Sequence, residues 1–109
     1  MPEAVIVATA RSPIGRAMKG SLVECRPDEL TAAIVKAALA KVPQLDPSTV
    51  QDLMLGCGEP AGESGFNMAR VVAILAGMPD VPGVTVNRYC SSSLQTIRMA
   101  FHAIKAGEG

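Results

Sequence analysis

Hydrophobic and polar positions along the chain read as three repeats of strand then helix. Ala4-Val-Ile-Val-Ala8 is a continuous apolar run, as expected of a parallel strand covered on both faces. Pro27, with Asp28 and Glu29 behind it, predicts a helix start, because a first turn tolerates proline and favours acidic side chains. That helix runs to about Val42, and its stripe of Leu30, Ala33, Ile34, Ala37 and Ala38 is small enough to pack on a sheet. Asp46-Pro47 opens a single turn ahead of a second strand, Leu53-Met-Leu-Gly-Cys57. Met68, Val71, Val72 and Leu75 then recur at i, i+3, i+4 and i+7, which predicts an amphipathic helix stopped by Gly77 and Pro79. A third strand, Val84-Thr-Val-Asn-Arg-Tyr89, ends at Cys90. The helix beyond it begins at Ser91-Ser92-Ser93, carries Leu94, Ile97, Phe101 and Ile104 on one side and Arg98, His102 and Lys105 on another, and stops at Gly107.

Strands alternating with helices predict right-handed crossovers and an α/β layered fold with a mainly parallel sheet, in the order β-α-β-α-β-α. Active sites in such sheets lie at the carboxyl ends of the strands, which is where Arg11, Glu59 and Cys90 fall. The segment 56–65 is the longest irregular stretch and a natural place for contacts with ligands or partner subunits.

Charge narrows the functional classes. Lys and Arg number 10 and balance 10 Asp and Glu, and they are scattered, so neither nucleic acid nor an anionic membrane finds an electrostatic footprint. No apolar run reaches membrane-spanning length. The first predicted strand starts almost at Met1, which leaves no room for a leader peptide ahead of it. Cys25, Cys57 and Cys90 are odd in number and far apart, an arrangement suited to a reducing compartment; the expectation is a soluble cytoplasmic protein.

Cys90 carries the strongest chemical signal. A thiol where a strand gives way to a helix faces unpaired N–H groups and the positive end of the helix dipole, which favours the thiolate and can stabilise an oxyanion beside it. Spacing alone leaves two readings open, a nucleophile and a buried strand-end cysteine. The lone histidine, His102, is twelve residues further along the same helix, or roughly 18 Å of rise, too far to serve as the base for Cys90. Gly56-Cys-Gly-Glu-Pro-Ala-Gly62 fails as a nucleotide loop, because Pro60 and the delayed helix break that fingerprint. A cysteine phosphatase loop fails too, since Thr96 stands where its arginine belongs. Cys25, Cys57 and His102 lack metal-ligand spacing, so no metal site is expected. Cys57 reads as a small buried residue at a strand end.

Val86-Asn-Arg-Tyr-Cys90-Ser-Ser-Ser-Leu-Gln95 resembles the nucleophilic-cysteine motif of the thiolase family, the acyl-CoA C-acyltransferases. With Arg88 before it and Ser91-Ser92 after it, the motif looks more like that of the degradative 3-ketoacyl-CoA thiolases than that of the biosynthetic enzymes. Ala8-Thr-Ala-Arg-Ser-Pro-Ile-Gly15, Pro27-Asp-Glu-Leu30, Gly65-Phe-Asn-Met-Ala-Arg70 and Ala103-Ile-Lys-Ala-Gly-Glu-Gly109 resemble further stretches of the family, so the likeness covers nearly the whole chain. Ser93 departs from the pattern, standing where the family has glycine, and this bears on acyl-chain preference.

The resemblance implies a thiolase-like fold of which residues 1–109 form part of the N-terminal domain. The rest of that domain and the whole C-terminal domain would lie outside the chain, and the piece alone would be inactive. It implies thiolytic cleavage of 3-ketoacyl-CoA by CoA, as in fatty-acid β-oxidation, with Cys90 as the acyl carrier and its backbone N–H as an oxyanion donor. CoA and acyl-CoA enter as substrates and no cofactor is implied. The activating histidine, a second cysteine and further oxyanion donors belong to later segments in the family, and the intact enzymes are homodimers or homotetramers. Asn67 and Arg70 take structural roles, the first capping a helix and the second tying a loop or subunit contact. An acetoacetyl-CoA-forming thiolase, a related condensing enzyme and a non-catalytic thiolase-like binding protein are the alternatives.

Overall fold

Proline, glycine and buried apolar positions fix the order of elements in a computed structural model that describes residues 2–109. Helix α1 spans Pro27–Ala40, strand β1 Leu53–Gly56, helix α2 Met68–Leu75, strand β2 Gly83–Val86 and helix α3 Ser92–Lys105. The chain is thus α/β. β1 and β2 pair in parallel, Leu53 opposite Gly83 and Gly56 opposite Val86, and α2 makes the crossover between them. Short 3₁₀ turns at Pro47–Thr49, Gly62–Ser64 and Tyr89–Ser91 lead into β1, α2 and α3. The first of these is the turn expected at Asp46-Pro47: the Asp46 carboxylate accepts the Ser48 N–H at 3.0 Å and the Ser48 hydroxyl at 2.8 Å, bonds that hold it below the usual carboxylate range.

The first expected strand does not form. Residues 4–8 have no ladder partner among the described residues, and Val5, Ile6 and Val7 are 71%, 79% and 69% exposed. A helix closes its own hydrogen bonds, whereas a strand exists only where a neighbour completes its ladder. The apolar run states a preference for burial that these residues do not fulfil.

The core lies between α1, α2 and the sheet. Ala32, Met68, Val72, Ala73, Ala76, Met78 and Val81 are buried there, with Val35, Leu39, Leu53 and Leu55 packed around them. Two helix faces differ from the expected ones. α1 turns Ala32, Val35 and Leu39 toward α2, and Ala33 and Ala37 are exposed. α2 buries Met68, Ala69, Val72 and Ala73, leaving Leu75 at 41% exposure. On α2 the alanines occupy the contact, where their small volume lets Val35 and Leu39 of α1 pack against the core.

α3 departs furthest from expectation. Ser92 and Thr96 are buried, Ala100 and Ala103 half-buried, and these small residues at i, i+4, i+8 and i+11 face the sheet. The apolar stripe of Leu94, Ile97 and Phe101 points outward at 70%, 60% and 45% exposure. Backbone contact dictates this choice, as described for Gly56 below. The buried Thr96 hydroxyl is satisfied by the Ser93 carbonyl at 2.8 Å.

An ion pair fastens the start of α1. Arg26 grips the Asp28 carboxylate with Nε at 3.1 Å and Nη2 at 3.0 Å, and reaches Glu63 with Nη1 at 3.1 Å. Asp28 also accepts the Glu29 N–H at 2.8 Å. The Arg26 hydrogen bonds, aided by that amide, hold the Asp28 carboxyl below its ordinary range against the opposing effect of desolvation. A carboxylate depressed on folding contributes stability above its unfolded value and loses that contribution as pH falls through the folded one. Acid titration of the melting temperature, from about pH 5 down to pH 2, therefore falls more steeply in wild type than in Asp28→Asn. Parallel curves would refute the pairing.

Candidate active site

The carboxyl ends of β1 and β2 bring the chemistry together. The ladder continues one step past β1, where the Cys57 N–H donates to the Val86 carbonyl at 2.9 Å. β2 ends at Val86, earlier than the sequence pattern suggests, and Asn87 and Arg88 lead into the turn Tyr89–Ser91. Cys90 sits in that turn, exposed and with a free thiol, two residues before α3. It is therefore neither a strand residue nor buried among the described residues.

Local hydrogen bonds hold the turn. Tyr89 has φ 47°, a left-handed conformation that is uncommon for a non-glycine residue. The Asn87 Oδ1 accepts the Tyr89 N–H at 2.8 Å. The Ser92 hydroxyl accepts the Arg88 N–H at 2.8 Å and donates to the Tyr89 carbonyl at 2.7 Å. Arg88 itself reaches forward, Nη1 donating to Gln95 Oε1 at 2.6 Å. These two residues share a small cleft of about 300 Å³ with Ser91, Leu94 and Arg98. Ser93, the departure from the family pattern, is exposed, and its backbone lies against Gly56.

Gly56 and Gly58 form the floor beneath this turn. A Cβ on Gly56 would stand 2.5 Å from Ser93 N and 2.6 Å from Ser92 C. One on Gly58 would stand 3.3 Å from the Tyr89 carbonyl oxygen. Side chains alternate along extended backbone, so Cys57 projects to the opposite face, away from Cys90. The glycines that fail as a nucleotide loop thus serve close packing.

The other expected site residues fall apart from the thiol or take structural roles. Glu59 lies exposed just past β1, at the same end of the sheet as Cys90. Arg11 follows the segment that forms no strand and is exposed, so it gains no place at a strand end. His102 is on the last turn of α3, its ring 5.4 Å from that of Phe101. Asn67 precedes α2 in a left-handed conformation, φ 55°, but its side chain does not cap the helix. Its Nδ2 donates to the Gly83 carbonyl at 2.9 Å and its Oδ1 accepts the Thr85 hydroxyl at 2.8 Å. Thr85 Oγ1 supplies the cap, accepting the Ala69 N–H at 3.0 Å. Arg70 ties a loop as expected, donating to the Val81 carbonyl at 3.2 Å. Cys25 is exposed in the turn before α1. An open groove of about 610 Å³ beside α3, lined by Met54, Ile97, Ala100 and Ile104 among others, does not include Cys90. Among the described residues, no helix is long and apolar enough to cross a membrane, and no three His, Cys, Asp or Glu side chains converge as metal ligands.

Residues 4–109 match the family described as the N-terminal domain of thiolase. The chain belongs to the thiolase family. It is 50% identical over 108 residues to a 3-ketoacyl-CoA thiolase of Bacillus subtilis, a match covering 98% of this chain and 27% of that protein. It is 46% identical over 110 residues to a 3-ketoacyl-CoA thiolase of Shewanella loihica, covering 100% of this chain and 28% of the relative. The chain therefore spans just over a quarter of the length of these relatives. Within this thiolase segment, the cysteine turn and its glycine floor lie at one end of the parallel pair. Sequence reasoning missed Ser92 as a buried bridge and Gly56 and Gly58 as a floor. The available signals were a third consecutive small polar residue after the cysteine and a Gly-x-Gly at a strand end.

Proposed function

We propose that this chain supplies the nucleophile of an acyl-CoA C-acyltransferase that cleaves 3-ketoacyl-CoA. The observation that carries the reading is an exposed thiol held on a turn at the carboxyl end of the parallel strands, in a chain whose relatives are named 3-ketoacyl-CoA thiolase. The Cys90 thiolate attacks the 3-keto carbon, and the bond between C2 and C3 breaks. Its electron pair leaves on C2, which takes a proton to give acetyl-CoA, and the remaining acyl group stays on Cys90 as a thioester. The thiol of free CoA gives up its proton and attacks that thioester; the shortened acyl-CoA departs and the Cys90 thiolate is restored. The backbone N–H of Cys90 serves as an oxyanion donor. His102, far along α3, takes no part in either proton transfer.

CoA and acyl-CoA act as substrates in this reading, and no prosthetic group enters it. The reaction fits fatty-acid β-oxidation in a cytoplasmic homo-oligomer. The names of the relatives support 3-ketoacyl-CoA as the substrate class, and the three free cysteines support a reducing compartment. The test is acyl trapping on the protein made from the complete reading frame. Brief exposure to a 3-ketoacyl-CoA, quenching and peptide mapping should place the acyl mass on the Cys90 peptide of wild type and on no peptide of Cys90→Ala. Acylation that persists in Cys90→Ala would overturn the reading.

A further inference from the structure

We infer that Ser92 is a positioning residue for the Cys90 thiol, acting against the floor formed by Gly56 and Gly58; this rests on the reading of Cys90 as nucleophile. Three independent features converge on the same stretch of backbone. Ser92 is only 4% exposed although the residues on either side of it, Ser91 and Ser93, are exposed, so its hydroxyl is committed inward. That hydroxyl is fully used, accepting from Arg88 N and donating to the Tyr89 carbonyl, and so it clasps the two residues that immediately precede Cys90. The left-handed Tyr89 needs such support, because an unsupported non-glycine residue leaves that region readily.

The third feature is long-range. Gly56 ends β1 and Gly58 lies two residues beyond it, and both present bare backbone to residues 89–93. The turn is consequently held from within by one hydroxyl and from below by two missing side chains. Between them these contacts set where the Cys90 Cα stands relative to the first amides of α3. A nucleophile must meet its carbon within a narrow range of distance and angle, so small displacements reduce the reacting fraction without altering how substrate binds elsewhere. Ser92 touches no reacting atom in this account; it acts through the backbone that carries the thiol.

The experiment uses the protein from the complete reading frame, with thiolytic cleavage of acetoacetyl-CoA as the assay and acyl trapping at Cys90 as the companion measurement. Ser92→Ala should lower kcat roughly tenfold or more with KM within about twofold, and Ser92→Thr, which restores the hydroxyl, should recover most of the loss. Gly58→Ala, whose new methyl meets one carbonyl oxygen at 3.3 Å, supplies a second variant that does not touch the hydroxyl, and it should lower kcat in the same selective way. Alkylation of the exposed Cys25 serves as an internal control and should not change. Wild-type kcat in both Ser92→Ala and Gly58→Ala would overturn the positioning role while leaving the nucleophile intact. Equal losses in Ser92→Ala and Ser92→Thr, with lowered melting temperatures in both, would also overturn it by showing packing alone. No acyl group on wild-type Cys90 would instead remove the nucleophile reading, and the inference with it.

Discussion

Cys90→Ala lowers thiolytic turnover in the protein from the complete reading frame by at least ~10⁴-fold, the scale expected when a covalent nucleophile is lost and only binding and oxyanion contacts remain. Among the described residues, no neighbour is placed to replace it. Ser91 is exposed beside it, but an unactivated hydroxyl is a far weaker nucleophile than a thiolate. Cys57 projects to the other face of β1, and Cys25 lies in the turn before α1. The companion variants Cys25→Ala and Cys57→Ser should therefore retain activity within a few-fold. Steady-state kinetics on the three variants separate the thiols; comparable losses in all three would mean that Cys90 is one structural cysteine among others.

Gly56→Ala has the largest expected effect on stability. Its methyl would meet Ser93 N at 2.5 Å, Ser92 C at 2.6 Å and Ser93 Cα at 2.8 Å. All three are backbone atoms, so no rotamer change relieves the clash, and α3 must move away from β1. Overpacking of this kind costs typically ~1–3 kcal/mol, and the backbone character of the contact puts this site at about the upper limit. That is a large part of the roughly 5–15 kcal/mol that holds a domain folded. Denaturant unfolding measures it directly. A midpoint equal to wild type would show that α3 does not rest on β1 as closely as described.

The same contact explains much of what the sequence pattern concealed. Element starts were legible where local residues decide them: Pro27 for α1 and Asp46-Pro47 for the turn before β1. Facing was not. On α3 the larger apolar residues Leu94, Ile97 and Phe101 suggested the inner side, but a helix drawn against a bare glycine strand end has room for hydroxyls and methyls only. On α2, apolar on most sides, periodicity could not choose between Val71 with Leu75 and Ala69 with Ala73. The composition of segment 4–8 predicts a strand, yet the ladder that defines a strand depends on another part of a sheet. At the site, the motif around Cys90 pointed to the family that the whole chain matches. The turn geometry was hidden because a left-handed tyrosine leaves no compositional mark, unlike a glycine.

The alternation Gly56-Cys57-Gly58 has a consequence for oxidation. Cys57 follows β1 on the face away from Cys90, and disulfide geometry demands Cβ atoms facing one another at about 4 Å, so these two thiols are not placed to bridge. Oxidised Cys90 is accordingly left as a sulfenic acid open to dimedone, or bonded to a thiol other than Cys57. A peptide map after peroxide treatment should therefore hold no bridge between Cys57 and Cys90.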